Sequence, residues 1–296
     1  MINSIAEYLH LLRHELTGCD PATVIDALSD SEDHLNTAVA STKAANPQFS
    51  EAEALADVVA RYGTPGEIAA AYRDTETRTR PALAAPARYV DRSAGSRFVG
   101  VVYDPRAWGA LLYMVISMIT GMIYFTWVIA GLYLSIGLLI LVIGVPVAYF
   151  FLLSFRGIAL VEGRIIEGLL GVRMPRRPIF SAHNLKWLDR VKAVVKDGRT
   201  WLTVLYMVMM MPLGIIYFCI AIVLFALSLD FVAAPIKQYV FDLPLLDLGP
   251  YSVYIGENYM PVVMFLGACL FVVMMHVVRG LGGLHAKLAR AMLVGK

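Results

Sequence analysis

Apolar positions are distributed in two ways along this chain. Up to about residue 76 they recur singly at helical spacing; from residue 107 they gather into long runs parted by short charged segments. In the first part, Ile5, Leu9, Leu12 and Leu16 form a stripe that Gly18 stops. Asp20 and Pro21 supply a cap and a first-turn proline for a second helix. Its apolar side is Val24, Ile25, Leu28 and Leu35, and Asp26, Asp30, Glu32 and Asp33 line the polar side. Ser50 with Glu53 is a capping-box pair opening a third helix, and Thr64 with Glu67 opens a short fourth after Tyr62-Gly63. Residues 1–76 therefore predict a small soluble helical domain.

In the second part, four apolar runs match the ~20 residues needed to cross a hydrocarbon core as a helix. They lie at about 107–129, 131–155, 201–229 and 260–278, and none contains Asp, Glu, Lys or Arg. Two of them open alike. Residues 104–125 and 197–218 share twelve of 22 positions, among them Asp104/Asp197, Arg106/Arg199, Trp108/Trp201, Tyr113/Tyr206, Gly121/Gly214 and Tyr124/Tyr217. The repeats also end alike. Arg156-Gly157 leads to Glu162 and Arg164; Arg279-Gly280 leads to His285, Lys287 and Arg290. These ends carry apolar positions on one helical face and basic ones on the other. They predict helices lying on the inner headgroup surface or, equally, simple continuations of the spans as exposed helix. Two spans per copy predict a parallel repeat, both copies entering the membrane in one direction. The fold class expected is all-α: a four-helix transmembrane bundle of two parallel two-span repeats beside the N-terminal domain. The boundaries are 1–76, a Pro/Ala/Arg tether 77–103, repeat one 104–175, a cytoplasmic connector 176–196 and repeat two 197–296.

Composition sharpens this picture. The chain is 58% hydrophobic, with a mean hydropathy of +0.66, too apolar for an ordinary soluble protein. Its net charge of +2 hides a split: residues 1–76 hold 13 acidic and 4 basic side chains, the remainder 10 and 21. Of those 21 cations only Lys237 falls in the 230–259 loop. The positive-inside rule then places both termini and the connector in the cytoplasm and that loop outside. The stretch Ile2–Leu16 is broken by charges and lacks an export-signal pattern. Three cysteines show no metal or disulfide spacing.

Chemistry-bearing motifs are sparse. No Walker-type or dinucleotide glycine loop and no Gly-x-Ser-x-Gly elbow occurs, and no cofactor is expected. His10 and His14 share a helical face without a third ligand, so a surface role is expected. Spans without carboxylates argue against ion-coupled transport. Asp104, Arg106, Trp108, Asp197, Arg199 and Trp201 form the two span entries. The tryptophans read as interfacial anchors, the arginines as snorkelling cations, and the aspartates as caps or their partners. Glu162 and Arg164 are the best candidates for an inner-face role. In the outer loop, Asp230, Asp242, Asp247, Tyr251, Tyr254 and Glu257 read either as an ordinary interfacial loop or as a surface for a cationic or amphipathic ligand.

The segments Tyr8–Leu16, Val24–Leu35 and Ala60–Ala69, with its Tyr-Gly-Thr-Pro-Gly-Glu-Ile-Ala run, resemble the HAAS domain of bacterial membrane sensors. Residues 104–296 resemble the membrane-embedded sensor domain found before the kinase core of many actinobacterial histidine kinases. Leu160-Val-Glu162-Gly-Arg164 through Gly171-Val-Arg173-Met-Pro175 and the paired Trp-bearing entries carry that likeness. After residue 290 no phosphoacceptor or ATP-binding segment follows. The resemblance therefore implies a sensor, not an enzyme, whose output is a separate partner: a cytoplasmic kinase, a transcriptional regulator or an ABC transporter subunit. The bilayer is the other partner, homo-oligomers are allowed, and nucleic acid is not expected. A permease-like export subunit is the alternative. A lipid enzyme, weakest of the three, would draw on Glu162, His183 and His285.

Overall fold

A computed structural model describes residues 2–84, 93–139, 144–176, 187–247, 249 and 251–294. Four helices form the N-terminal domain: α1 (Ile5–Glu15), α2 (Pro21–Ala45), α3 (Glu51–Tyr62) and α4 (Pro65–Arg78). Their starts follow the local chemistry. Asp20 accepts from the Ala22 N–H, and both capping boxes are complete, Ser50 with Glu53 and Thr64 with Glu67. The donated hydrogen bonds hold the Glu53 and Glu67 carboxyls below their ordinary pKa. Tyr8, Leu12, Leu16, Leu35, Leu55 and Val58 make the core. The Tyr8 hydroxyl donates to the Gly63 carbonyl at 2.9 Å, and that of Tyr72 to Asp30 at 2.6 Å. Burial pushes both phenols well up.

The tether does not stay extended to its end. Residues Ala94–Gly100 form α5, and a 3₁₀ turn, Val101–Tyr103, leads into α6 (Pro105–Leu139). Then follow α7 (Gly144–Leu170), α8 (Trp187–Lys196), α9 (Gly198–Val232), α10 (Ala234–Tyr239) and α11 (Met260–Ala289), which closes on a π-turn, Arg290–Val294. A two-residue antiparallel pair, β1 (Leu246–Asp247) with β2 (Ser252–Val253), sits in the loop before α11. The helices α6, α7 and α9 and the stretch Glu257–Val294 are each long and apolar enough to cross a membrane.

Of the two readings of the repeat ends, continuation of the spans holds: α7 runs unbroken through Arg156, Glu162 and Arg164, and α11 through Arg279 and His285. One face of each continuation is packed, with Glu162, Ile166, His285 and Ala289 buried, while Val161, Arg164 and Leu284 on the other face are exposed. A separate finding is the packing direction of the two first helices. A Cβ on Gly121 would overlap the Met210 carbonyl, and one on Gly214 the Ser117 carbonyl. Nearer the start of α6, Trp108 meets Phe271, which in turn meets Phe225 of α9. Numbers rise along α6 as they fall along α9, so the two helices pack antiparallel. Since 117 and 121 correspond to 210 and 214, a pseudo-twofold axis crosses the pair at right angles. Charge counting missed this because it ended each span at its cations. In the structure the charged half of each second helix lies along the first helix of the other repeat.

Candidate functional site: a polar cluster on the pseudo-twofold axis

The duplicated positions converge on the axis. Tyr113 and Tyr206 are repeat equivalents, as are Tyr124 and Tyr217, and Glu162 and His285 each lie six residues beyond the repeat-end arginine. Helices α6, α9, α7 and α11 bring them together. Glu162 is 1% exposed and His285 wholly buried. The Tyr113 and Tyr206 hydroxyls donate to Glu162 Oε1 at 2.7 and 3.0 Å, and the Tyr124 hydroxyl donates to Oε2 at 2.8 Å. His285 Nε2 stands 2.5 Å from the Tyr113 hydroxyl and 3.0 Å from that of Tyr206. Tyr217 does not reach the carboxylate; it packs edge-on against the His285 ring, centroids 5.5 Å apart.

Hydrogen counting assigns the roles. Each hydroxyl has one proton, and each gives it to Glu162. Tyr113 and Tyr206 can then accept from His285 only if Nε2 carries a hydrogen. His285 Nδ1 has no partner among the described residues. An orphaned lone pair there costs less than an orphaned N–H, which favours the same tautomer. The cluster thus holds one carboxylate in three hydroxyls, with an imidazole closing the ring, and ties four helices by side chains from every one.

Ion pairs at either end repeat the symmetry. Asp197 accepts from the Arg199 backbone N–H and pairs with Arg156 of the other repeat at 3.1 Å. Asp104 accepts from the Arg106 N–H and pairs with Arg279 of the other repeat at 3.0 Å. So each aspartate caps its own helix and grips the opposite repeat. The indole N–H groups of Trp108 and Trp201 bond the carbonyls six residues earlier, Val102 and Val195. Arg164 binds Glu167 at 2.6 Å instead of forming a surface pair with Glu162.

The N-terminal domain is docked beside this core. Arg290 pairs with Asp20 at 2.7 Å, the Arg176 backbone N–H donates to Asp26 at 2.6 Å, and Ile25 packs on the membrane-helix core. The outer-loop candidates make separate, local contacts. Asp230 pairs with Lys237, Asp247 accepts from the Gly249 N–H, the Tyr254 hydroxyl reaches the Asp242 carbonyl, and Tyr251 and Glu257 are exposed. Of the residues named for a lipid enzyme, Glu162 and His285 do meet; His183 lies outside the described residues. No group of three His, Cys, Asp or Glu placed to hold a metal occurs among the described residues. The four tyrosines escaped notice as site residues although two of the repeat's shared positions marked them in pairs.

This architecture has a counterpart among known families. Residues 113–293, more than half the chain, match the family model described as "Putative sensor". The chain belongs to that sensor family. Residues 7–71 match the HAAS model. No curated protein and no solved structure matches. The two matches and the four apolar helices support a membrane sensor or signalling role.

Proposed function

We propose that this sensor is non-catalytic and relays a bilayer or amphiphile signal through its docked N-terminal domain to a separate cytoplasmic partner. One observation carries the reading: the domain is held by the segments that leave the polar cluster. Arg290 lies five residues beyond His285. Arg176 follows Met174, which lies against Gly163 beside Glu162. A shift between repeats that moved α7 or α11 would pull on these contacts directly. Such a switch needs a two-state element biased by the signal, and the shared Glu162–His285 cluster is the natural one.

The location is the bacterial plasma membrane with both termini cytoplasmic, supported by the placement of Lys and Arg. In the antiparallel pair, Asp104 and Asp197 lie about 45 Å apart at 1.5 Å per residue. Both charged ends reach the inner surface if α6 and α9 are inclined to the bilayer, and 35-residue helices are long enough for that. Cysteines at positions 103 and 196 should both resist an impermeant reagent added outside.

The relay is tested by charge reversal. Arg290→Asp should derange the transcriptional response of flanking genes to membrane stress, and Asp20→Arg with Arg290→Asp, which remakes the ion pair but gives up the cap of α2, should restore it in part. A response unchanged by Arg290→Asp and by deletion of residues 1–80 would remove the relay.

A further inference from the structure

The two repeats close differently at equivalent joints. In repeat two, α11 lies flush on α6: a Cβ on Gly282 would strike that of Ala110, and Ala107 and Ala110 are buried. In repeat one the equivalent residues are Ala159 on α7 and Thr200 and Thr203 on α9. Here a crevice of about 80 Å³ lies between α7 and α9. Its polar lining is Arg156, Asp197, Arg199, Thr200 and Thr203, and Leu160, Met174 and Leu293 are among its apolar lining.

Charge differs between the joints too. Arg106 is bound at 3.3 Å to Asp104, which also holds Arg279. Its equivalent, Arg199, is exposed, and its guanidinium makes no ion pair among the described residues. Asp197 is already committed to Arg156 and to the Thr200 hydroxyl. Among the described residues two guanidinium groups therefore face one carboxylate, a net positive charge beside apolar lining; the Thr200 and Thr203 hydroxyls give their protons to Asp197 and to the Arg199 carbonyl. Val161 and Leu202, next to the lining residues, are exposed apolar side chains. A guanidinium is a site for a phosphate oxyanion, and the apolar lining suits a hydrocarbon chain.

We propose that this crevice binds one anionic phospholipid, its phosphate on the Arg199 guanidinium and its chains running out along α7 and α9. The volume admits a phosphate group and leaves the rest of the headgroup and the chains outside. The site names what the sensor reads, and so rests on the signalling role proposed above. Leu293 in its wall is three residues from Arg290, the residue that grips the N-terminal domain, so occupancy bears on the dock.

The duplication provides the control. The full chain is placed in phosphatidylcholine nanodiscs doped with phosphatidylglycerol, and lipid retained on release is counted by native mass spectrometry. Wild type should keep one phosphatidylglycerol. Arg199→Gln should weaken retention about tenfold, the loss of one charge-assisted contact. Arg106→Gln, at the closed joint, should leave it unchanged. Thr203→Phe, which fills the crevice without altering charge, should abolish it, and the thermal melt of each variant reports folding. Equal loss in Arg199→Gln and Arg106→Gln, or full retention in Thr203→Phe, overturns the proposal. Displacement by millimolar inorganic phosphate also overturns it, because the site would then be a free-anion site. Retention is read on purified protein without a partner, so failure of lipid binding is distinct from failure of the relay.

Discussion

The two repeats share entry residues, tyrosines and crossing glycines, yet at the position facing the axis one has Glu162 and the other His285. Identical residues would fail there. Two glutamates would bury two negative charges side by side, and two histidines would leave three hydroxyl protons short of acceptors. Divergence at one position turns a symmetric frame into a satisfied acid–imidazole pair. The joints differ at smaller scale: Ala110 lies close on Gly282 at one, and its counterpart Thr203 lines a crevice at the other.

The strongest way to break this comparison is to make the repeats alike. His285→Glu should cost about 3–5 kcal/mol, the usual penalty for an uncompensated buried charge. The double exchange, Glu162→His with His285→Glu, should recover most of that loss, because the axis relates the two positions. Thermal melts of the detergent-solubilised chain decide it: a double variant no more stable than His285→Glu would show the positions are not equivalent. Tyr124→Phe and Tyr217→Phe sharpen the point. The first strands a carboxylate oxygen and should cost about 1–3 kcal/mol, whereas the second removes a hydroxyl that reaches neither Glu162 nor His285 and should cost less.

Next in size are the ends of the antiparallel pair. Asp197→Asn, which keeps a cap, should destabilise by about 1 kcal/mol, as expected of a partly exposed pair, whereas Asp197→Ala should cost about 1 kcal/mol more by removing the cap as well. The geometry behind this is measurable directly. Spin labels on cysteines at 103 and 196 should lie about 45 Å apart; α6 and α9 packed side by side in the same direction would bring them within the reach of adjacent helices, about 10 Å between axes. A short distance would dismantle the pseudo-twofold arrangement and the cluster built on it.

How far the residues disclosed this can be seen at particular positions. The N-terminal helices were legible because their signals are local: Asp20-Pro21, Ser50 with Glu53, and Thr64 with Glu67 act over three residues. The duplication was legible as identity. Its direction was not, because hydropathy reports whether a helix is apolar and says nothing of which neighbour it lies against. Reading Arg156 and Arg279 as span ends put Glu162 outside the bundle, and so concealed its tyrosines. Yet the equal spacing from those arginines to Glu162 and to His285 was already in the sequence. Joined to the Tyr113/Tyr206 identity, that spacing suffices to bring the four residues to one axis.

The smallest effect expected lies in the carboxylates least like Glu162. Glu53 and Glu67 sit fully exposed at helix starts, and their pKa values are lowered first by the backbone N–H groups of Ser50 and Thr64 and then by the hydroxyls. A folded-state pKa below the unfolded value of 4.5 means each carboxylate supports folding above pH 4.5. That support fades as acid carries the pH down through the folded value. The protection of α3 and α4 against hydrogen exchange, corrected for the intrinsic rate at each pH, should therefore fall below pH 4.5 in the full chain, with the apolar middle of α9 as the internal reference. Glu53→Gln with Glu67→Gln should flatten that acid response and raise exchange at neutral pH only slightly, because an amide oxygen still accepts the cap hydrogen bonds. An acid response of undiminished size in the double variant would assign it to other groups. It would also undo the contrast drawn between solvated carboxylates that fix where a helix begins and the buried one that fixes how the repeats meet.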